Sequence, residues 1–425
     1  MILVILSVSF AQDTGDDART PPQEWRRKIK ERSTPPAGWR AARGSLLTEE
    51  QRAELEKLES LGYLAGGANA PPQSGVTIHE QSRVWQGLNL YVSGDLSGAR
   101  LMDMEGKIVH EWDCAFLDAW PGREREAATE NGAKYWFHAH LFTNGDIIGV
   151  HNSLGLVKLD KDSNVLWTYS GGSHHHVHVA DDGRIYSITH EQKIDQRISS
   201  TTESLEDAIV ILDADGRELR RVSIMDAFWN SDYASLLQMG MINHSRRRID
   251  PFHTNRIVEL DDSVRDRIPS FREGNLLLSL RNLNVLVVLD MESEKVVWAM
   301  TGPWLQQHCP SILENGNVLL FDNQGDYGSS RILEFDPVTQ EIEWMYRGDA
   351  QNDFYSEKSG TVQKLPNGNC LIAESHFGRA MEVTPSGDIV WEFYSPARAG
   401  EDNELVANLF EMRRLPRSFP TDWLE

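Results

Sequence analysis

One phrase repeats along this chain from about residue 83 onward: an apolar run, an Asp or Thr, a polar turn, then alternation up to an aromatic. It is spelled "LMDMEGKIVHEW", "LVKLDKDSNVLW", "VVLDMESEKVVW", "LEFDPVTQEIEW" and "MEVTPSGDIVW", and a sixth copy, "VILDADGRELRR", lacks the tryptophan. Period-two alternation on both sides of a turn predicts a β-hairpin. Ahead of every copy but the first lies a second hairpin with its own turn, in "LFTNGDIIGV", "VADDGRIYSI", "FREGNLLLSL", "ILENGNVLLF" and "KLPNGNCLIA". Two hairpins make four strands, and the units recur at roughly 35 to 55 residues, the spacing of propeller blades. Six units fit. The first lacks its leading strand, while "NLFEMRRLP" near the C-terminus ends like "TVQKLP" of the sixth. The expectation is an all-β fold: a six-bladed β-propeller over residues 76–425, closed by the C-terminal strand. A β-sandwich or two stacked barrels would also use many hairpins, but neither needs a repeated four-strand phrase.

The N-terminal residues have another texture. "MILVILSVSFAQ" is a short apolar run ending in small residues near Ala11 and reads as a secretory signal over residues 1–11, although no Lys or Arg precedes it. Residues 12–75 form a charged, proline-interrupted linker. Within it, "LTEEQRAELEKLESLGYLAGG" opens on a Thr-x-x-Gln capping box and keeps Leu55, Leu58 and Leu61 on one face, which predicts an amphipathic helix over about 48–61. The implied location is periplasmic or secreted. No segment has the length and apolar content of a transmembrane helix. A formal net charge of -22 repels nucleic acid and anionic membranes, so a site for an anion must build its own positive charge. Cys114, Cys309 and Cys370 stand far apart without CxxC spacing, giving neither a disulfide framework nor a local zinc signature.

Counting from the hairpin turns locates a candidate site. His175 lies eight residues before Gly183, and His308 eight before Gly316. With a fixed rise per residue, both should reach the same mouth of the axial channel. Seven residues after the equivalent glycines stand Asn152, His190, Arg281, Asn323 and Ser375. The returning strands thus bring a polar ring to that end, with His190, Asn323 and Asn152 as expected substrate contacts. Aligning Leu260 with Leu313 puts Asn255 level with His308, and His253, two residues earlier, on the same strand face. Arginine offers planar donors to a tetrahedral oxyanion, and Asn and His supply more, a set suited to a sulfate or phosphate ester.

Plainer readings apply to other residues. "HAH" at 138–140 and "HHHVH" at 174–178 could ligate zinc or copper, but no carboxylate or cysteine accompanies them at suitable spacing, so the expectation is no metal and no other cofactor. His79, His110, His244 and His376 read as surface or packing residues. Trp112, Trp167, Trp298, Trp344 and Trp391 read as core between blades. Arg246, Arg247 and Arg248 sit in a long connection as a solvated charge run or a lid.

With these residues in hand, the chain resembles the arylsulfotransferase (aryl-sulfate sulfotransferase) family, six-bladed propellers that use no nucleotide sulfate donor. The resemblance covers about residues 76–396 and rests on the order of several phrases. These are "VWQGLNLYVSGDLSGARLMDMEGKIVHEW", "DPFHTNRIVEL", "GNLLLSLRNLNVLVVLD", "WAMTGPWLQQHCPSILENGNVLLFDN", "SGTVQKLPNGNCLIAES" and "GRAMEVTPSGDIVWEF". It implies that His308 is the nucleophile, that His253 and Asn255 form the His-x-Asn pair, and that Arg281 and His175 complete the catalytic set. Where the family often carries Asp after the two leading histidines, this chain has Cys309 and His176. The implied partners are an aryl sulfate donor and a phenolic acceptor, exchanging a sulfuryl group through a sulfohistidine. The alternative is an exported propeller that binds a sulfated or phenolic ligand, or a protein, without turnover.

Overall fold

The computed structural model describes residues 68–424, apart from 241–248, 328, 350–351 and 401. The leader, the linker up to residue 67, the helix expected over about 48–61, His244 and the run Arg246 to Arg248 all lie outside the described residues.

The described residues are all-β, with only short helices between strands. Six antiparallel sheets carry the recurrent unit. The second is Trp136–Leu141, Ile147–His151, Gly155–Leu159 and Val165–Tyr169; the third is Ser173–Val179, Ile185–Lys193, Ser204–Leu212 and Glu218–Ser223. The fourth is Thr254–Glu259, Leu276–Leu280, Val285–Asp290 and Lys295–Thr301. The fifth is His308–Ile312, Val318–Asp326, Ser329–Phe335 and Ile342–Arg347. The sixth, Thr361–Lys364, Cys370–Glu374, Arg379–Val383 and Ile389–Tyr394, gains a fifth strand from Gly75–His79. The first sheet is composite, because Leu409–Pro416 pairs antiparallel with Gly87–Ser93, followed by Gly98–Met102 and Ile108–Asp113. A small extra sheet joins Ala68–Asn69, Leu405–Val406 and Arg398–Ala399.

The turn chemistry explains the repetition. The first-hairpin glycines Gly145, Gly183, Gly274, Gly316 and Gly368 all have φ between 82° and 88°, a left-handed conformation that a side chain disfavours. Between the turns, residues facing a neighbouring sheet are apolar and buried, and the resulting cores each draw on two adjacent sheets. The outer tryptophans stitch those sheets together. Indole N–H groups donate from Trp112 to Gly145 O (3.0 Å), Trp167 to Ala214 O (3.0 Å), Trp344 to Pro385 O (2.9 Å) and Trp391 to Met104 O (2.9 Å). Each acceptor sits in a turn of another sheet, and the last bond joins the sixth sheet to the first. In the third sheet, whose phrase lacks the tryptophan, Arg220 reaches Glu294 in a fourth-sheet turn at 2.6 Å instead.

The first strands touch in succession. Trp136–Leu141 lies against Ser173–Val179, which lies against Thr254–Glu259, then His308–Ile312, then Thr361–Lys364. Leu409–Pro416 contacts both Thr361–Lys364 and Trp136–Leu141. Arg414 on that strand is fully buried and pairs with buried Glu382 of the sixth sheet at 2.9 Å. Removing one partner of such a pair strands a buried charge, typically at a cost of about 3–5 kcal/mol.

Candidate active site

Counting residues from the turns assumes straight strands, and the first strands are not straight. Register shifts fall between Trp136 and His138, Ser173 and Val177, Thr254 and Arg256, His308 and Ser311, and Leu409 and Glu411. A bulge bends its strand and re-aims a side chain. Five residues here hold positive φ without being glycine: His175 at 58°, His253 at 49°, Gln306 at 57°, Cys309 at 51° and Ser359 at 57°. Backbone of this kind is costly for a side-chain-bearing residue and concentrates at functional sites. The alternation expected to put His253 and Asn255 on one face is therefore broken, yet the imidazoles still converge. The rings of His175 and His253 lie 4.8 Å apart at 74°.

His308 is buried and its tautomer is set by its neighbours. Nδ1 meets two oxygens, Gln306 O at 3.0 Å and Asn323 Oδ1 at 2.7 Å. The orientation of Asn323 follows from its amide nitrogen, which donates to Ser356 O (2.9 Å) and Ser359 O (2.6 Å). Two acceptors at Nδ1 require a proton there, so the lone pair is on Nε2. Burial, reinforced by the Arg281 charge, pushes the His308 pKa down to about 3. At neutral pH the ring is an uncharged base.

Arg281 follows the strand Leu276–Leu280, and its amide donates to His253 O at 3.3 Å. Its guanidinium holds Asn282 Oδ1 (3.1 Å) and Gln306 Oε1 (2.5 Å), and the latter also accepts from Gln324 at 3.0 Å. Gln306 thus links the arginine to the loop that presents His308. His253 Nδ1 contacts Asp250 Oδ2 at 2.6 Å, which leaves Nε2 for chemistry. Asn255 donates to Gln307 O at 2.8 Å, while its buried Oδ1 has no partner among the described residues and the residue lines the cavity.

The cavity is lined by His175, His308, Asn255, Arg256, His138, His176, Cys309, Ser359, Gly360, Thr361, Glu411 and an aromatic wall of Phe137 and Phe410. Phe137 packs against Phe410 (4.6 Å) and His175 (4.9 Å), with Tyr135 stacked behind Phe410 at 5.0 Å. Deeper, His138 Nδ1 lies 2.5 Å from Glu411 Oε2, and its ring packs 4.3 Å from that of His176. Cys309 Sγ points to Val362 O at 3.5 Å. Neither Cys309 nor His176 supplies a carboxylate to the leading histidines; Asn323 fills that place for His308.

Of the five expected catalytic residues, His308, His175 and Asn255 line the cavity, while His253 and Arg281 do not line it and reach it through the His175 ring and Gln306. Asn323 and Asn152 stand behind the histidines rather than on the cavity wall, since Asn152 Oδ1 accepts from the His175 amide at 3.1 Å. His190 stacks on His174, rings 4.6 Å apart. Sequence reading missed Asp250, although it stands in the quoted "DPFHTN"; it also missed Gln306 and the Phe137–Phe410 wall. It missed Asp207 as well, which lies beside His174 and His190 from a separate strand and has no local signal.

The described residues thus form an all-β scaffold of mostly four-stranded sheets that holds a neutral, buried imidazole within reach of the Arg281 charge. The family model described as Arylsulfotransferase (ASST) matches residues 139–396, more than half of the chain, and the chain belongs to that family. No curated protein matches it. Among solved structures it is similar to a protein of unknown function from Bacteroides caccae (12% identity, covering 77% of this chain and 98% of that one, TM-score 0.48). It is also similar to the β-propeller domain of Cps50 (Swd1) from Myceliophteria thermophila (10%, 83% and 98%, TM-score 0.44). A third is a virginiamycin B lyase from Staphylococcus aureus (12%, 82% and 97%, TM-score 0.41).

Proposed function

We propose that the six sheets are the blades of one six-bladed propeller, closed by Leu409–Pro416, and that the site moves a sulfuryl group from an aryl sulfate to a phenolic acceptor through a sulfohistidine at His308. The observation that carries this is the pair of acceptors on Nδ1, which with burial leaves His308 neutral and its lone pair on Nε2. Nε2 attacks sulfur, the N–S bond forms as the S–O(aryl) bond breaks, and the phenolate departs with the electron pair. Sulfuryl transfer shares the loose, in-line character of phosphoryl transfer, so oxygen-directed donors and positioning dominate.

Arg281 is the cation available to the sulfuryl oxygens, while the unpartnered Asn255 Oδ1 is an acceptor suited to a hydroxyl of the acceptor phenol. After transfer the ring is cationic, and its Nδ1–H keeps both acceptors. His253, braced by Asp250, protonates the leaving phenolate through Nε2 and in the second half-reaction takes the acceptor's proton. The Phe137–Phe410 wall gives an aryl group an apolar face.

Incubation of the full chain with 4-nitrophenyl sulfate tests the reading. Nitrophenol release should accompany an intact-mass gain of one sulfuryl group that is absent in His308→Ala and is discharged by a phenol. Release without an adduct in rapidly quenched samples, or an adduct that persists in His308→Ala, rejects the sulfohistidine.

A further inference from the structure

We propose that His174, His190 and Asp207 bind one divalent transition-metal ion, zinc by chemistry, next to the sulfuryl-transfer site. The three come from adjacent strands of the third sheet, where His190 and Asp207 are directly paired across the ladder. Their ligand atoms all lie within 4.8 Å of one another. His174 and Asp207 are buried, at 2% and 1% exposure, which sets this group apart from an exposed acidic cluster.

Two of them stand at an ion-pair distance that is longer than a hydrogen bond. His174 Nε2 lies 3.6 Å from Asp207 Oδ1 and, although buried, has no hydrogen-bond partner among the described residues. That separation is too long for an N–H to oxygen bond. Two ligands at about 2.0–2.1 Å from one ion, at the tetrahedral angle, stand about 3.4 Å apart. An imidazole nitrogen and a carboxylate oxygen at that spacing, with a second imidazole alongside, match the separation of ligand atoms around one ion. Two imidazoles and a carboxylate suit zinc; magnesium and calcium prefer oxygen alone, and no thiolate is present to favour copper(I).

The surroundings are those of a metal site's outer shell. Asp207 Oδ2 accepts from the Thr254 amide at 2.8 Å, which fixes the carboxylate. His174 Nδ1 lies 2.7 Å from His175 Nδ1. With Nε2 on the ion, His174 carries its proton on Nδ1 and donates it to His175, as ligating histidines do to an outer partner. His175 then keeps its own proton on Nε2. The ion would thereby lock one tautomer of a histidine that lines the cavity, as a donor.

Ion content tests this independently of sulfuryl transfer, so either reading can fail without the other. The untagged full chain is stripped with a chelator, dialysed against zinc, and assayed by elemental analysis; cobalt(II) loading is followed by visible absorption. One retained equivalent and tetrahedral cobalt bands are expected. Asp207→Asn and His190→Gln should lose the equivalent while melting cooperatively, and His178→Gln, from the same histidine run but paired with Glu259, should keep it. His174→Ala is a further ligand variant, and the two polar substitutions carry the test if it does not fold. No stoichiometric retention by the wild-type chain, or full retention by Asp207→Asn, overturns the proposal.

Discussion

Replacing Asn323 isolates the link between hydrogen bonding and nucleophilicity. In the wild-type chain Asn323 accepts from His308 Nδ1 and donates to Ser356 O and Ser359 O. Asn323→Ala leaves His308 with Gln306 O alone, at 3.0 Å. It also withdraws a donor from two carbonyls, of which Ser356 O retains the Ser330 hydroxyl at 3.3 Å. With buried orphans at about 1–3 kcal/mol each, the expected loss of stability is about 2–4 kcal/mol. The expected loss in kcat/KM for 4-nitrophenyl sulfate is about a hundredfold, as for removal of one preorganised group. Asn323→Asp makes the complementary change, setting a carboxylate on Nδ1. A negative neighbour favours the imidazolium, so the His308 pKa should rise from about 3 and the acid limb of the pH–rate profile should move to higher pH. Nitrophenol release from pH 3 to 8, with intact mass and urea titration on the same samples, reads all three quantities. A folded Asn323→Ala chain with undiminished kcat/KM, or an Asn323→Asp chain with an unmoved acid limb, would refute the argument that the Nδ1 partner sets the tautomer and charge of His308.

Arg281→Gln should cost a hundredfold or more in kcat/KM and, by removing a cation beside His308, shift the acid limb upward; steady-state rates across pH check both effects. His151 is fully buried between the Trp136 indole (3.0 Å) and Gly132 O (2.9 Å), and burial pushes its pKa down to about 4. Above pH 6.5 it is neutral whether the chain is folded or unfolded. As pH falls from 6.5 toward 4 the unfolded chain binds the proton first, so stability drops, by about 2 kcal/mol at pH 4.5. Urea midpoints at pH 7 and 4.5 should show that acid-dependent loss shrink by this amount in His151→Gln, even if the variant is less stable at both.

Much of the architecture was legible because alternation and turn chemistry are local. A phrase such as "ILENGNVLLF" states its strands, its turn and its buried face within a few residues. The tryptophan series was readable for the same reason, although nothing in "VILDADGRELRR" says that Arg220 would take over the link to the next sheet. The site was legible in composition and blurred in geometry. His308, His175 and Asn255 reach one cavity, but through bulges and left-handed backbone at residues that carry side chains, which no propensity reports. The partner of His308 stands fifteen residues away across a hairpin, and Asp207 belongs to a strand two removed from His174. Such pairings depend on register, and register is fixed only once the sheets assemble.

The strand Leu409–Pro416 belongs to the first sheet, yet it leaves the ribosome after every other strand of the six. Phe410 and Glu411 on it form part of the cavity wall. A nascent chain can stack sheet upon sheet and still hold an open groove at this cavity until Leu409–Pro416 arrives to complete the first sheet. A chain that lacks this strand would carry His308 without Phe410 and Glu411 across the cavity.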